Sequence, residues 1–256
     1  MANIILSVIV VKYKSEEYLD PCLKSLGESP LWEIIVVDND KNNIGYGGGC
    51  NLGAKKAKGK YLLFLNPDTG VLPGSLKKMI DFLEKNNEVA VLGPKLFNSQ
   101  KMDLQVTCVG DLDPLTAIFS LSFFNKIFPD NQFSQKYFLS DWDRNSIKEV
   151  GAVSGAALMI RKDIFKKIDG FDEDFFLYFE EIDLCRRINM LGKKVVYYPE
   201  AGIIHFKGKS SQATGNKTKK YFLASRFNFF KKNYGFFQAL LVEGFLRTFE
   251  LFGKIL

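Results

Sequence analysis

Three carboxylates, Glu180, Glu181 and Asp183, stand directly behind the aromatic run FFLYF at 175–179. A carboxylate pressed against apolar sequence loses hydration, which raises its proton affinity. Such a group can act as a general base. If a helix begins near Glu180, Asp183 and Arg187 lie four apart and form an ordinary supporting ion pair. Glu180 then occupies the first turn, where the helix dipole favours negative charge. Glu181 has no such partner, since position 185 is a cysteine, so Glu181 is the candidate base and Asp183 the reserve. A solvated helix start is the competing reading of the same residues.

A second acid is set up differently. The apolar stretch LFL (63–65) runs straight into Asn66, Pro67 and Asp68. Proline ends the strand ladder and stiffens the turn, holding Asp68 at the strand tip. One fixed carboxylate at a sheet edge suits a divalent cation that phosphate oxygens also bind; a plain turn or helix cap would use the same residue. His205 is the only histidine of the chain and follows the apolar run GII (202–204). A single histidine is either a ligand or an ordinary packed residue. The glycine-rich stretch NNIGYGGGCNLG (42–53) lets backbone approach a nucleotide closely, or simply turns into a helix. It is not a dinucleotide fingerprint. Cys50 stands where the third glycine belongs, and the stretch follows the second strand instead of the first.

The elements that must position these groups are read from apolar runs and their punctuation. Strands are predicted over 4–12, 33–39, 61–66 and 88–94, with helices over 16–26, from near Cys50, and over 73–86. Alternating strands and helices imply an α/β fold with a mostly parallel, Rossmann-like sheet flanked by helices. Ligands bind at the carboxyl ends of such strands, which puts Asp38-Asn39 and Asn66–Asp68 on one edge. Residues 100–147 have no sustained period and are predicted as an irregular insertion with a helical piece near 114–126. The small-residue segment 149–162 is predicted as extended, with strands at 194–199 and 202–206 and a polar linker at 208–220.

At 256 residues the chain is long enough for one large α/β domain or two small ones. Its four cysteines show neither metal-site nor redox spacing, which implies reduced thiols and a cytoplasmic setting. No apolar run is long enough to cross a bilayer. The net charge of +6 sits in the tail: residues 217–256 hold eight Lys/Arg against two Glu, and the remainder balances. That distribution argues against a nucleic-acid surface and for a local anionic partner. Apolar residues recur at Phe237, Leu241, Phe245, Phe249, Phe252 and Leu256, as in an amphipathic helix. This basic, aromatic tail either rests on the anionic face of the cell membrane or packs on the body or on a second subunit of a homodimer.

Taken in order, SVIVVKY (7–13), VVDN (36–39), NIGYGGGCN (43–51), LFLNPDT (63–69), GAVSGAALMIRKDIF (151–165), GFDEDFFLYFEEIDLCRRI (170–188) and YPEAGIIHFKGKSS (198–211) resemble the family 2 inverting glycosyltransferases of the GT-A fold, and within them the rhamnosyltransferase-like group. The resemblance implies a GT-A domain over 1–210, with a nucleotide-sugar-binding half at 1–99 and an acceptor and catalytic half at 100–210, followed by the tail at 211–256. It implies that Asp38 contacts the base and ribose of a nucleotide-sugar donor beside Val11, Tyr13 and Asn39. The stretch around Gly47, Gly48 and Asn51 would close over the nucleotide. Asn66 and Asp68 match the family's Asp-X-Asp metal motif, with His205 completing a Mg²⁺ or Mn²⁺ site. Glu181 matches the catalytic base, although the family usually has Glu-Asp where this chain has Glu-Glu. The extra methylene displaces the carboxylate by about an ångström, a distance that matters to catalysis. The implied reaction moves a sugar, L-rhamnose from dTDP-L-rhamnose in the first instance, or galactose, glucose or N-acetylglucosamine from a UDP-sugar. The acceptor would be a hydroxyl of a lipid-linked saccharide or growing surface polysaccharide. A sugar-phosphate nucleotidyltransferase normally has a glycine-rich loop after its first strand, and VKYKSEEYL has no glycine. A non-catalytic nucleotide-sugar-binding protein is the other class the Glu-Glu departure leaves open.

Overall fold

The computed structural model describes residues 4–98, 102–206 and 216–252. Its centre is a sheet with the strand order β2-β1-β3-β9-β5-β10-β4, and β7 pairs with β10. The strands are β1 (Leu6–Lys12), β2 (Trp32–Asp38), β3 (Tyr61–Leu65), β4 (Thr69–Val71), β5 (Val89–Phe97), β7 (Lys148–Glu149), β9 (Ala157–Arg161) and β10 (Lys194–His205). Two short strands, β6 (Cys108–Val109) and β8 (Ala152–Val153), pair separately. All five residues of β3 and of β9 are buried, because both faces of the sheet are covered. This is why these strands read as continuous apolar runs. Strands β2, β1, β3, β5 and β10 run in one direction, as the alternating pattern predicts. Strand β9 is inserted antiparallel between β3 and β5, and β4 pairs antiparallel with β10. The two strands predicted at 194–199 and 202–206 are one, with an irregularity between Tyr198 and Gly202.

One face of the sheet packs Ile9, Phe64 and Ile160 against α2 (Gly45–Lys56), α7 (Lys162–Lys167) and α8 (Glu180–Met190). The other packs Val8, Leu63 and Met159 against α1 (Glu16–Ser25) and α3 (Ser75–Lys85). The irregular insertion contains α4 (Pro114–Leu121), α5 (Phe124–Ile127) and α6 (Gln132–Phe138). The glycine run, predicted as a loop leading into a helix near Cys50, is helical from Gly45. A Cβ on Gly49 or Gly53 would run into Val11 or Ile9, so these glycines let α2 lie close on β1.

The tail forms α9 (Asn216–Tyr234) and α10 (Phe236–Phe252), so the predicted linker ends by Asn216 and its stretch 208–215 lies outside the described residues. The tail packs on the body. Phe229, Phe230, Ala239, Val242 and Leu246 share a buried cluster with Leu112, Ala117, Phe175 and Phe179. Arg226 of α9 makes a two-pronged bond to Glu243 of α10, at 2.9 and 3.1 Å. The stripe predicted from Phe237 onward is not the packing face. Phe237 and Leu241 are 77% and 71% exposed, whereas Phe245 stacks on Phe124. Residues four apart advance about 40° around a helix, so a strict four-residue stripe winds from the outer side to the inner. The side chains of Phe249, Phe252 and Leu256 lie outside the described residues. Among the described residues no helix is long and apolar enough to cross a membrane.

Candidate active site

A cavity of about 350 Å³ opens at the carboxyl ends of β1, β2 and β3. Val11 and Tyr13 line it from β1 and the turn beyond, Asn39 from the end of β2, and Asn66, Pro67 and Asp68 from the tip of β3. Glu180 and Glu181 enter from the start of α8, His205 from the end of β10, and Tyr221 from α9.

Asp68 and His205 meet through strand pairing. β4 and β10 run antiparallel with Thr69 opposite His205, and the Phe206 amide donates to the Asp68 carbonyl at 2.9 Å. This register puts the Asp68 carboxylate 3.5 Å from His205 Nε2. Asp68 is 1% exposed, and its Oδ1 has no hydrogen-bond partner. A buried carboxylate oxygen without a partner is costly unless something fills the gap. A carboxylate, an imidazole and donor phosphate oxygens are ligands a divalent cation accepts, so these residues fit one. Among the described residues there is no cluster of three or more protein ligands, so most of the coordination shell would have to come from the donor and from water.

Glu180 and Glu181 form the opposite kind of corner. The chain reaches them through Tyr178 and Phe179, both with φ of 69°. Consecutive left-handed aromatic residues are costly, by about 1–2 kcal/mol each, and backbone strain of this kind collects at functional sites. Aromatic contacts hold the turn: Phe179 packs on Phe222 and Phe229 of α9, and Ser225 Oγ donates to the Leu177 carbonyl at 2.9 Å. Glu180 is 4% exposed. One oxygen of each glutamate is buried without a hydrogen-bond partner, and neither has an ion pair among the described residues. Burial pushes the Glu180 carboxyl well above the usual range, and the charge of Glu181 pushes the same way. Burial also raises Glu181, while backbone N–H groups at the helix start partly hold it down. Glu180, predicted as a residue that merely complements the helix dipole, is therefore a second buried acid of the site.

Several predicted positions fall elsewhere. Asp38 does not line the cavity. Its side chain is 55% exposed and lies 3.2 Å from Lys12, its register partner on β1. The Asp40 amide and Lys12 together hold the Asp38 carboxyl below its ordinary range. Asn39 does line the cavity, and its side chain braces the start of α2 by donating to the Gly45 carbonyl at 3.0 Å. Gly47 and Gly48 pack against Phe171 and Ile44 inside α2 and do not reach the cavity. Asn51 is bound to the Phe171 backbone, accepting from its N–H and donating to its carbonyl, both at 2.9 Å. It lines a separate, larger groove of about 570 Å³ with Lys55, Lys162 and Arg187, where neither Asp68 nor the glutamate pair is present. Asp183 is fully buried between Arg187 and Lys232, each at 2.7 Å, which leaves it no role in the cavity. The Asp183–Arg187 pair is the one the helical spacing predicts.

Other lining residues carry weak sequence signals. Gly45 has φ of +82°, and a Cβ there would lie 2.5 Å from the Phe176 carbonyl oxygen, so only glycine fits this rim. Tyr46 donates to the Gly155 carbonyl at 2.6 Å, tying α2 to the small-residue segment before β9. Tyr221 stacks on Phe176 with ring centroids 4.4 Å apart. Its basic, aromatic surroundings in sequence suggest a surface segment more than a cavity wall.

The open α/β sheet thus brings an acid at the third strand tip, a histidine beside it and an acidic pair on a facing helix to one cavity. The Glycosyl transferase family 2 profile matches residues 39–169, just over half of the chain, and the chain belongs to that family. The match includes Asn39 and Asp68 and ends before Glu180. The chain is 25% identical to the rhamnosyltransferase WbbL of Escherichia coli K12, over 87% of this chain and 91% of that protein. It is also 25% identical to the N-acetylglucosaminyl-diphospho-decaprenol L-rhamnosyltransferase of Mycobacterium tuberculosis, over 87% of this chain and 85% of that one. The chain is thus a glycosyltransferase of the rhamnosyltransferase-like kind. Among solved structures, GalNAc-T7 with UDP, GalNAc and Mn²⁺ superposes with a TM-score of 0.53 at 14% identity, over 79% of this chain and 44% of that one. Staphylococcus aureus TarS 1-349 in complex with UDP gives 0.51 at 16% identity, over 88% of this chain and 66% of that one. These likenesses define the GT-A fold, and in both cases the chain spans less than two thirds of the solved protein.

Proposed function

We propose that this chain is an inverting transferase that moves L-rhamnose from dTDP-L-rhamnose to a hydroxyl of a lipid-linked saccharide. The observation that carries the reaction is the convergence of Asp68, His205, Glu180 and Glu181 on one cavity. The acceptor hydroxyl attacks the anomeric carbon from the face opposite the diphosphate. Glu181 takes its proton, and Glu180, the more deeply buried of the two, keeps its own. The bond to the diphosphate breaks as the new glycosidic bond forms, so the anomeric centre inverts. Asp68 and His205 would hold a divalent cation, which supplies positive charge to the departing diphosphate. Tyr13 and Asn39 lie where a nucleotide would pass the β1 and β2 tips, and Asp38 stands outside the cavity beside them. The two named rhamnosyltransferases support the donor sugar, and the mycobacterial one supports a lipid diphosphate acceptor. The test is radiolabelled transfer by the full chain with Mn²⁺, from dTDP-L-rhamnose and from UDP-galactose, UDP-glucose and UDP-N-acetylglucosamine in parallel, onto an N-acetylglucosaminyl-diphospho-lipid. Lipid-extractable label from dTDP-L-rhamnose is expected. Label from a UDP-sugar alone overturns the donor assignment, and none from any donor overturns the acceptor.

A lipid acceptor also gives the tail a task. Phe237 and Leu241 project from α10, and the tail holds the net positive charge of the chain, so the proposed surface is an anionic leaflet. Removing the tail is a poor test, because it would uncover Phe175 and Phe179. Exchanging Phe237 and Leu241 for serine leaves that cluster intact. Co-sedimentation with phosphatidylglycerol vesicles is expected to fall about tenfold; unchanged binding sinks the idea.

A further inference from the structure

A neutral histidine offers a lone pair to a cation only through the ring nitrogen that lacks a proton. In His205, Nε2 faces Asp68 at 3.5 Å and Nδ1 lies 3.1 Å from Gln105 Oε1. The Gln105 amide is not free to turn. Its Nε2 donates to Asn98 Oδ1 at 2.8 Å and to the His205 carbonyl at 2.9 Å, which uses both of its N–H bonds. Turning it over would set its oxygen against the His205 carbonyl, a fixed acceptor. Oε1 can only accept, so the hydrogen between it and Nδ1 belongs to the histidine. The backbone of Gln105 is fixed as well, its N–H donating to the Leu96 carbonyl at 2.9 Å on β5. Gln105 is 7% exposed and is absent from the cavity wall, so it acts from behind the site.

We infer that Gln105 is a positioning residue that holds neutral His205 with its proton on Nδ1, leaving the Nε2 lone pair facing Asp68 and turning the two side chains into a cradle for a divalent cation. This inference rests on the cation-assisted reading of the transferase. The alternative tautomer would bring the bare Nδ1 against Oε1 at 3.1 Å, two acceptors in contact with nothing between them, whereas the inferred tautomer sets its two acceptors, Nε2 and Asp68 Oδ1, 3.5 Å apart on the side where a cation would bridge them. A partner behind a metal-binding histidine fixes both the ring orientation and the tautomer, and its loss typically costs about 10–100-fold in metal affinity.

One histidine in the chain makes the test direct. The full chain is labelled with ¹⁵N-histidine, and long-range ¹H–¹⁵N correlation at pH 8 reads the ring, while Mn²⁺ affinity is measured by electron paramagnetic resonance of the free ion. Wild type is expected to carry its hydrogen on Nδ1, and Mn²⁺ is expected to broaden the His205 signals first. Gln105→Leu should move the hydrogen to Nε2 and weaken Mn²⁺ binding about 10–100-fold. Should Gln105→Leu fail to fold, the wild-type spectrum decides the matter. A wild-type ring with its hydrogen on Nε2 or with both nitrogens protonated overturns the inference, as does a leucine variant that binds Mn²⁺ normally. No Mn²⁺ binding by wild type, with sugar transfer intact in EDTA, overturns the cradle but not the transferase. Mn²⁺ bound at an Nδ1–H ring, with neither transfer nor hydrolysis of any donor, supports the cradle and overturns the transferase.

Discussion

The cavity has two acidic corners that solve opposite problems. At one, a single carboxylate, Asp68, stands 3.5 Å from an imidazole, with a buried oxygen unmatched. At the other, Glu180 and Glu181 are neighbours with no cation paired to either among the described residues. Burying two carboxylates side by side leaves the proton as the cheapest counterion, since like charges in a low dielectric cannot both persist. The first corner is therefore suited to a metal and the second to proton transfer. Acidic residues alone do not define either role; what stands next to them does.

The largest expected effect comes from removing the proton acceptor. Glu181→Gln should lower turnover about 10²–10⁴-fold while donor KM stays near wild type, as steady-state kinetics will show. Turnover close to normal would remove Glu181 from the mechanism. Asp68→Asn should act on the other corner, weakening Mn²⁺-dependent donor binding about a hundredfold in calorimetry with dTDP. The same measurement on Glu181→Gln should show no loss; equal losses in both would erase the distinction between the corners.

The smallest effect is the most discriminating. A base works only when deprotonated, so the rate falls as pH drops through the Glu181 value. Burial raises that value, which places the acid limb above the ordinary glutamate range near ~4.3. If Glu180 is already neutral, Glu180→Gln removes no charge and should move the limb by less than about half a unit. A downward shift of more than about one unit would mean that Glu180 carries charge beside Glu181, and the proton assignment would have to be reversed.

Much of this was legible from residue order. Strands β1, β3 and β5 are apolar runs because both faces of the sheet are covered there, whereas the equally apolar edge strand β2 leaves Ile34 and Val36 exposed; Asp68 is marked by a proline that stops its strand. The Asp183–Arg187 pair follows from helical spacing alone. The glycine run was harder, yet Gly45, Gly49 and Gly53 are four apart, which puts them on one helix face, and that periodicity fits a helix packed on a strand better than a loop. The burial of Glu180 depends on the left-handed turn at Tyr178 and Phe179, which no rule for aromatic residues anticipates. Gln105 sits in a segment without period and finds His205 exactly one hundred positions later, beyond the reach of local pattern.

One feature of the tail bears on how the chain comes to be folded. Tyr221 stands in the cavity wall, and Phe229, Phe230, Val242 and Leu246 cover Phe175 and Phe179 behind it. Helices α9 and α10 are synthesised after every other element that touches the cavity. A nascent chain can assemble its early strands while the ribosome is still at work, but the aromatic turn before α8 must wait, uncovered, for segments some fifty residues downstream. Until they arrive Phe175 and Phe179 lack their cover and the cavity lacks its Tyr221 wall, so the order of synthesis leaves the site to be completed after the sheet.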